Sequence, residues 1–385
     1  MYSIKQGVYM KRGVGIALLL FVVMIVGGTA IFVLSNETAT AASSGKIIFV
    51  DDNFVDDPPN HKWDTLQEGI DDADPGDTIA VFAGTYDHVS INKPDLTISG
   101  ESAGSVTITD SADYAVRVFA DRITIQNVTV RQGSIAALYT NGDYTTVKHC
   151  TITQNNPKSG NWAAQISGDH AAISNCIIQQ AGWGLAFLQA QDCTLRDSTF
   201  TDIENKAVVV EDSSDISIDT ITVSNVFCGL RIVESTDNWI TNSTFTDNKI
   251  GLILDEDARS NDIEHCTIEG NGGIGTDFGY GIYLDGAWEN NITSCHLEGN
   301  DRGVFAEATS HDNLIHHNNF IDNGINAIDH GTNIWNSSIG NYWDDYTGID
   351  TDYNGIGDTP YNLTASSGQD HRPLPAPVQT PPAMV

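Results

Sequence analysis

Basic residues are scarce in this sequence: 18 Lys and Arg stand against 51 Asp and Glu, a formal charge of −33 over 385 residues. A surface of that sign repels a phosphate backbone, which argues against nucleic acid as a partner and for cations or a saline medium. Methionine is sparser still, confined to Met1, Met10, Met24 and Met384, so no thioether metal site can form in the body of the chain. The cysteines show no zinc-type spacing. Helical periodicity is missing from the long central part of the chain, which excludes a helix bundle.

Long apolar runs are limited to one, at 14–34, preceded by Lys5, Lys11 and Arg12. As a helix it would be about 30 Å long, enough to span a bilayer with its basic end inside. The segment reads as an export signal retained as a membrane anchor. Cleavage near Ala39, Ala41 and Ala42 is the alternative. Six N-x-S/T triplets, beginning at Asn36, Asn127, Asn242, Asn291, Asn336 and Asn362, fit a glycosylated surface protein.

What fills the rest is a repeat. An aliphatic residue, a small or thiol-bearing one three positions on, and a large apolar one two further recur as Ile125/Val128/Val130, Val147/Cys150/Ile152, Ile173/Cys176/Ile178, Leu195/Ser198/Phe200, Ile218/Ile221/Val223, Ile240/Ser243/Phe245, Ile263/Cys266/Ile268, Ile292/Cys295/Leu297 and Ile315/Asn318/Phe320. Successive first members lie 22, 26, 22, 23, 22, 23, 29 and 23 residues apart. A unit that short cannot bury its apolar face alone, but coils stacked about 4.8 Å apart pair every strand and share one core. The expected fold is therefore all-β, a right-handed parallel β-helix solenoid with coils of about 22 residues and at least two strands per coil.

Stacking predicts ladders of equivalent residues. Asn155, Asn248, Asn271, Asn300 and Asn323 share one turn position, where asparagine tolerates left-handed backbone and can bond to its copies above and below. Cys150, Cys176, Cys266 and Cys295 share an inward column. Their parallel Cβ vectors oppose disulfide geometry, so free buried thiols are expected. A capping box at Thr65 and Glu68, with Leu66, Ile70 and Ala73 on one face, predicts a short helix plugging the N-terminal end. The organisation expected is an anchor and linker at 1–45, a cap and first coils at 46–120, regular coils at 121–332, a C-terminal cap at 333–361 and a proline-rich tail or linker at 362–385.

Three segments carry a family resemblance: FVDDNF with the following TLQEGIDDADPGDTIAVFAGTY, the coil series, and GNYWDDYTGIDTDYNGIGDTPY, together spanning about 47–361. In these the chain resembles the NosD-like family of periplasmic or surface β-helix proteins, related to pectate-lyase-like, carbohydrate-binding and sugar-hydrolase β-helices. The resemblance implies the solenoid and a copper-binding role in enzyme maturation. Of the residues present, His311, His316, His317 and His330 crowd the last coils, and His316 and His317 are the candidate copper ligands.

The residues point elsewhere as well. The second strand's outward column reads Val209, Arg231, Ile253, Tyr283, Phe305 and Asp329, and an insertion bearing Phe278 and Tyr280 projects beside it. With Trp288 these rings form a candidate rim for stacking on sugar faces, with Arg231 the one basic residue of the column. The first insertion, ending at Trp162, projects from the same flank. Asp255, Asp285 and Glu307 fall in register on consecutive coils, with Glu211 two coils earlier. Carboxylates about 5 Å apart raise one another's pKa or recruit a cation, and that spacing also suits a retaining glycosidase pair. In DTDYNGIGD, Asp350, Asp352, Asn354 and Asp358 stand at positions 1, 3, 5 and 9 of a calcium loop with Ile356 supplying a carbonyl, although Tyr361 replaces the bidentate glutamate at position 12. The function expected is glycan or polysaccharide binding without catalysis. The alternatives are a calcium-assisted lyase, hydrolase or epimerase using Asp255, Asp285 and Glu307, and a copper maturation factor.

Overall fold

The computed structural model describes residues 45–110, 113–154, 160–273, 278–364 and 368–378, together with the backbone of 23–26 and 29–32. The coil around Ile263 shows how the repeat folds. Strand Asp262–Glu264 alternates about Ile263, which is fully buried. His265 then takes left-handed backbone (φ 55°), and the corner it makes turns Cys266 inward, where its thiol donates to the Glu264 carbonyl at 3.4 Å. Strand Thr267–Glu269 buries Ile268, Gly270 makes the next left-handed corner, and strand Tyr280–Asp285 buries Ile282 and Leu284.

Each coil thus has three strands, and the pattern repeats upward in register: Ile240, Ile263 and Ile292; Phe245, Ile268 and Leu297; Leu252, Ile282 and Val304. The result is three parallel sheets of 14, 12 and 11 strands wrapped around one apolar column. Each fully buried aliphatic in that column contributes about 1.5–3 kcal/mol. This is the parallel β-helix the period predicts, with crossovers of the right-handed sense that twisted strands favour.

The thiol column is explained more closely than by size. Cys150, Cys176, Cys295, Ser198 and Ser243 make the same bond from the corner to the carbonyl two residues back, at 2.8–3.3 Å. Where Cys or Ser stands, it therefore supplies a weak donor as well as a small side chain, while Val128 and Ile221 fill the same station by packing alone. All six cysteines are free and buried.

The asparagines form their ladder, but they are not the left-handed residues. Asp247, Gly270, Gly299 and Asp322, one position earlier, take positive φ. Asn155 lies outside the described residues. The neighbours Asn248, Asn271, Asn300 and Asn323 turn inward and are chained amide to carbonyl oxygen at 2.9–3.1 Å. A second ladder runs through Asn238, Asn261, Asn290, Asn313 and Asn333, and a third through Asn318 and Asn341. Every link donates toward the C-terminal end, so the last residue needs an acceptor with nothing left to donate. Carboxylates fill those places: Asp344 and Asp345 through Asn326, Asp329, and Asp370.

The tail is consequently part of the cap, to Val378, instead of a free linker. Tyr361–Asn362 pairs with Gln369–Asp370, Leu374 bonds to Asn341, and Val378 bonds twice to Asn319. A proline-rich segment has no core of its own, but the open solenoid end offers it unpaired polar groups and a stacked aromatic surface of Phe320, Trp343 and Tyr361. At the other end Thr65 caps helix α1, Leu66–Asp72, which buries Leu66 and Ile70 as expected. The Thr65 hydroxyl accepts from the Glu68 amide and donates to the Glu68 carboxylate, where a capping box would have had that carboxylate accept from the Thr65 amide. Within 14–34, strands Val23–Val26 and Thr29–Phe32 pair antiparallel in a unit of their own, where a continuous helix was expected. The remainder of that segment lies outside the described residues, among which no helix is long and apolar enough to cross a membrane.

Candidate functional site

The 11-stranded sheet turns three columns of side chains outward. Its central column reads Arg117, Tyr139, Gln165, Ala186, Val209, Arg231, Ile253, Tyr283, Phe305 and Ile328. Ile328 stands where Asp329 was expected. Strand Ile325–Asp329 pairs one residue out of the sequence count, which turns Asp329 inward to accept from the Trp335 indole at 2.9 Å.

Around Tyr283 the predicted rings converge. Tyr280 stacks on Tyr283 at 5.0 Å, Phe305 lies 5.5 and 5.8 Å from the two, and Phe278 joins through the Arg302 guanidinium, 4.1 Å above its ring. Cys228, Ile250 and Ile253 form an apolar floor beneath the tyrosines. Phe305 is only 8% exposed, so it is floor and not contact surface, whereas Phe278 is 54% exposed. Asp301 fixes both ends of the insertion, accepting from the Gly273 and Gly279 amides. Trp288 is not part of the cluster. It sits in the following turn, stacked on His311 with Arg259 over it.

Along one border runs the carboxylate column. Glu211, Val233, Asp255 and Asp285 pair in register, and Glu307 continues it by bonding to Leu284. Arg231 is spent on Asp255, to which Nε and Nη2 both donate, at 2.8 and 2.6 Å. Tyr283 donates to Glu307 at 3.0 Å. Burial, and then the charges of Asp255 and Glu307, push the Asp285 carboxyl above its usual range. Burial and the Glu307 bond also hold the Tyr283 phenol protonated well beyond neutral pH. The arrangement offers hydrogen-bond acceptors beside flat apolar rings, which is what a sugar's hydroxyl edge and C–H face require.

Metal-capable groups divide by chemistry. Among the described residues, the sets of three or more whose donor atoms lie within 4.8 Å of one another are Asp56, Asp64 and Glu68, and Asp350, Asp352 and Asp358. Both are all-carboxylate, suited to a hard cation. In the second set the Asn354 and Gly355 amides bond to Asp350, and the Ile356 amide bonds to Asn354 Oδ1. The loop is thus closed by its own side-chain-to-backbone bonds.

Copper is poorly served. His311 bonds to Asp312, His330 packs edge-on against Phe305, and His316 bonds to Ser337, on different corners of the coil. His316 and His317 alone stay together, both imidazoles held below their usual pKa by burial. All six thiols are buried and donate to backbone carbonyls, five of them inside the wall and Cys228, to the Leu230 carbonyl, beneath Ile250 on the sheet's outer face. No soft-donor set is built from these residues, so they do not fit the metal.

Fold and face together define a parallel β-helix with an aromatic and acidic side. The family described as periplasmic copper-binding protein (NosD) matches residues 103–264 and 171–348, a union of more than half the 385 residues. The chain belongs to that family. A probable ABC transporter binding protein NosD from Stutzerimonas stutzeri is 30% identical over 104 residues, 26% of this chain. The match spans about a quarter of that relative's own length, 24%. Among solved structures, the A-module of an Azotobacter vinelandii mannuronan C-5 epimerase superposes with a TM-score of 0.57 at 11% identity, covering 72% of this chain and 87% of that one. The enzymatically active domain of tailspike protein 2 from bacteriophage CBA120 gives 0.56 at 12% identity, covering 88% and 56%. At those identities the likeness is one of fold.

Proposed function

We propose that this chain is an exported surface protein that binds a glycan, without cleaving it, across the face at Tyr280 and Tyr283. The observation that carries the reading is the stacked tyrosine pair on an apolar floor, with Phe278 exposed beside it and Asp285 and Glu307 along one border. Binding is favoured over cleavage because Arg231, the basic residue beside these carboxylates in its column, is committed to Asp255. Arg231 is then not free to take a proton in a lyase step. The family's periplasmic description supports an extracytoplasmic place for it, and retention by the 14–34 segment is part of the proposal.

Glycan-array binding by the purified ectodomain tests it. Tyr280→Ala and Tyr283→Ala each remove half of the stack and should weaken binding about tenfold, the scale of one ring's contribution. Binding unchanged in the double variant refutes this site. Phe305→Ala is the wrong probe, since that ring is packing.

A further inference from the structure

The N-terminal half of the same sheet face carries a second set of rings of a different electrostatic character. Tyr114 and Tyr139 lie 5.2 Å apart and Phe119 packs 6.3 Å from Tyr139, with the Arg117 guanidinium 4.5 Å from the Tyr114 ring centre. One and two coils beyond Tyr139, Trp162 and Trp183 lie 4.9 Å apart, and Lys206 on the coil after them stands 4.5 Å over Trp183. Beside Trp162, Trp183 and Lys206, on the same three strands, the central column holds only Gln165, Ala186 and Val209, a low neutral floor. The border column that is acidic farther along is here Phe119, Asn141, Ser167 and Leu188.

In a chain of charge −33, Arg117 and Lys206 are conspicuous because neither lies within salt-bridge distance of a carboxylate among the described residues. The Lys206 ammonium donates to Asn205 Oδ1, at 3.4 Å. Two cations held on aromatic rings and four coil rises apart, about 19 Å, leave positive charge facing solvent along a flat track. We infer that this half of the face is a separate subsite for a polyanionic polysaccharide, carboxylated or sulfated, whose sugar faces stack on Tyr139, Trp162 and Trp183 while its acid groups pair with Arg117 and Lys206. The inference shares the glycan-binding reading with the Tyr280 site but uses none of its residues. Burial already lowers the Lys206 pKa, a cost that a bound anion would relieve.

Retardation of the ectodomain in gels containing polygalacturonate, dextran sulfate, neutral dextran or poly-glutamate separates the sources. The two acidic polysaccharides should retard it, and far more than dextran or poly-glutamate at equal charge. Arg117→Gln with Lys206→Gln should weaken that binding at least tenfold and flatten its salt dependence, whereas Arg117→Lys with Lys206→Arg should restore most of it. Trp183→Ala should weaken it with the salt slope kept. Equal binding of dextran, equal binding of poly-glutamate, or a double Gln variant within twofold of the parent overturns the inference, provided its melting curve matches the parent. Tyr280→Ala with Tyr283→Ala distinguishes the two sites. If it abolishes glycan binding while the Gln variant does nothing, this subsite fails and the Tyr280 site stands. The opposite pattern leaves this subsite standing alone.

Discussion

Asp370 ends the third amide ladder, and Asp370→Ala tests whether the carboxylate termini hold the solenoid's open end. The side chain is fully buried and accepts from the Asn341 amide at 2.7 Å, the Trp343 indole at 3.0 Å and the Arg372 amide at 2.9 Å. Removing it orphans three donors. At about 1 kcal/mol each, the low end for groups that water can reach once the cap loosens, the loss is about 3 kcal/mol. Because coils touch only their neighbours, that loss should stay local. Hydrogen exchange should quicken about 100-fold at Asn341, Trp343 and Gln369 and leave the coils from Ile125 to Ile178 untouched. Gly340→Ala should mimic it, since a Cβ there would fall 2.0 Å from Asp370 Oδ1. The sign of the pH effect follows from burial, which raises the Asp370 pKa despite the three donors. A folded-state value above the unfolded one means a contribution fully present below about pH 4 and lost as pH rises through the raised value. The parent cap should therefore tighten on mild acidification and the variant should not. Exchange that quickens evenly along all coils, or by less than twofold anywhere, refutes the reasoning.

Asp285 obeys the same sign rule on the sheet face. Its carboxyl is raised by burial and by Asp255 and Glu307, so Asp285→Asn should stabilise the protein at neutral pH and lose the advantage below about pH 4, as read by urea midpoints across pH. Calcium should raise the melting temperature of the parent but not of Asp352→Asn with Asp358→Asn, and equal shifts in both would place the ion elsewhere. Thiol titration should find the six cysteines unreactive until denaturant unfolds the coils. Cys266→Ser should cost under about 1 kcal/mol, because Ser198 and Ser243 already make the same corner bond.

The coil was legible because stacking imposes one rule on every repeat: Ile125, Val147 and Ile173 must each point inward at the same station. What the period does not encode is where the backbone turns left-handed. Asn271 is the more noticeable residue, yet Gly270 bends the chain and Asn271 serves the ladder. The template also hid a corner within itself, so two strands were read as one and the reading stopped at a minimum of two strands per coil, where the structure has three. On the face, Tyr283 was found by reading the outward column, and Tyr280 and Trp162 because insertions drew attention to them. Tyr139 and Trp183 belong to the same three columns, and aligning each third strand to the template would have exposed them. Asp370 gave no signal at all, since its role depends on a chain end folding back over 29 residues to Asn341.

The family's copper description and this chain's donor set point in different directions, and the fold explains how both can hold. In a β-helix each outward column can be rewritten coil by coil without touching the inward columns that stabilise it, so the scaffold can persist while a face changes its chemistry. Here the inward columns are aliphatic, with amide ladders in the coils from Asn238 to Asn341, whereas one outward sheet carries cation-capped rings, then an acidic border, within eleven strands. Metal analysis of the dialysed ectodomain separates inheritance from rewriting. Stoichiometric copper lost in His316→Ala with His317→Ala would mean that the family's site survives on a corner of the last coils. Copper below one-tenth of an equivalent, with glycan binding intact, would place this chain's function on the sheet face.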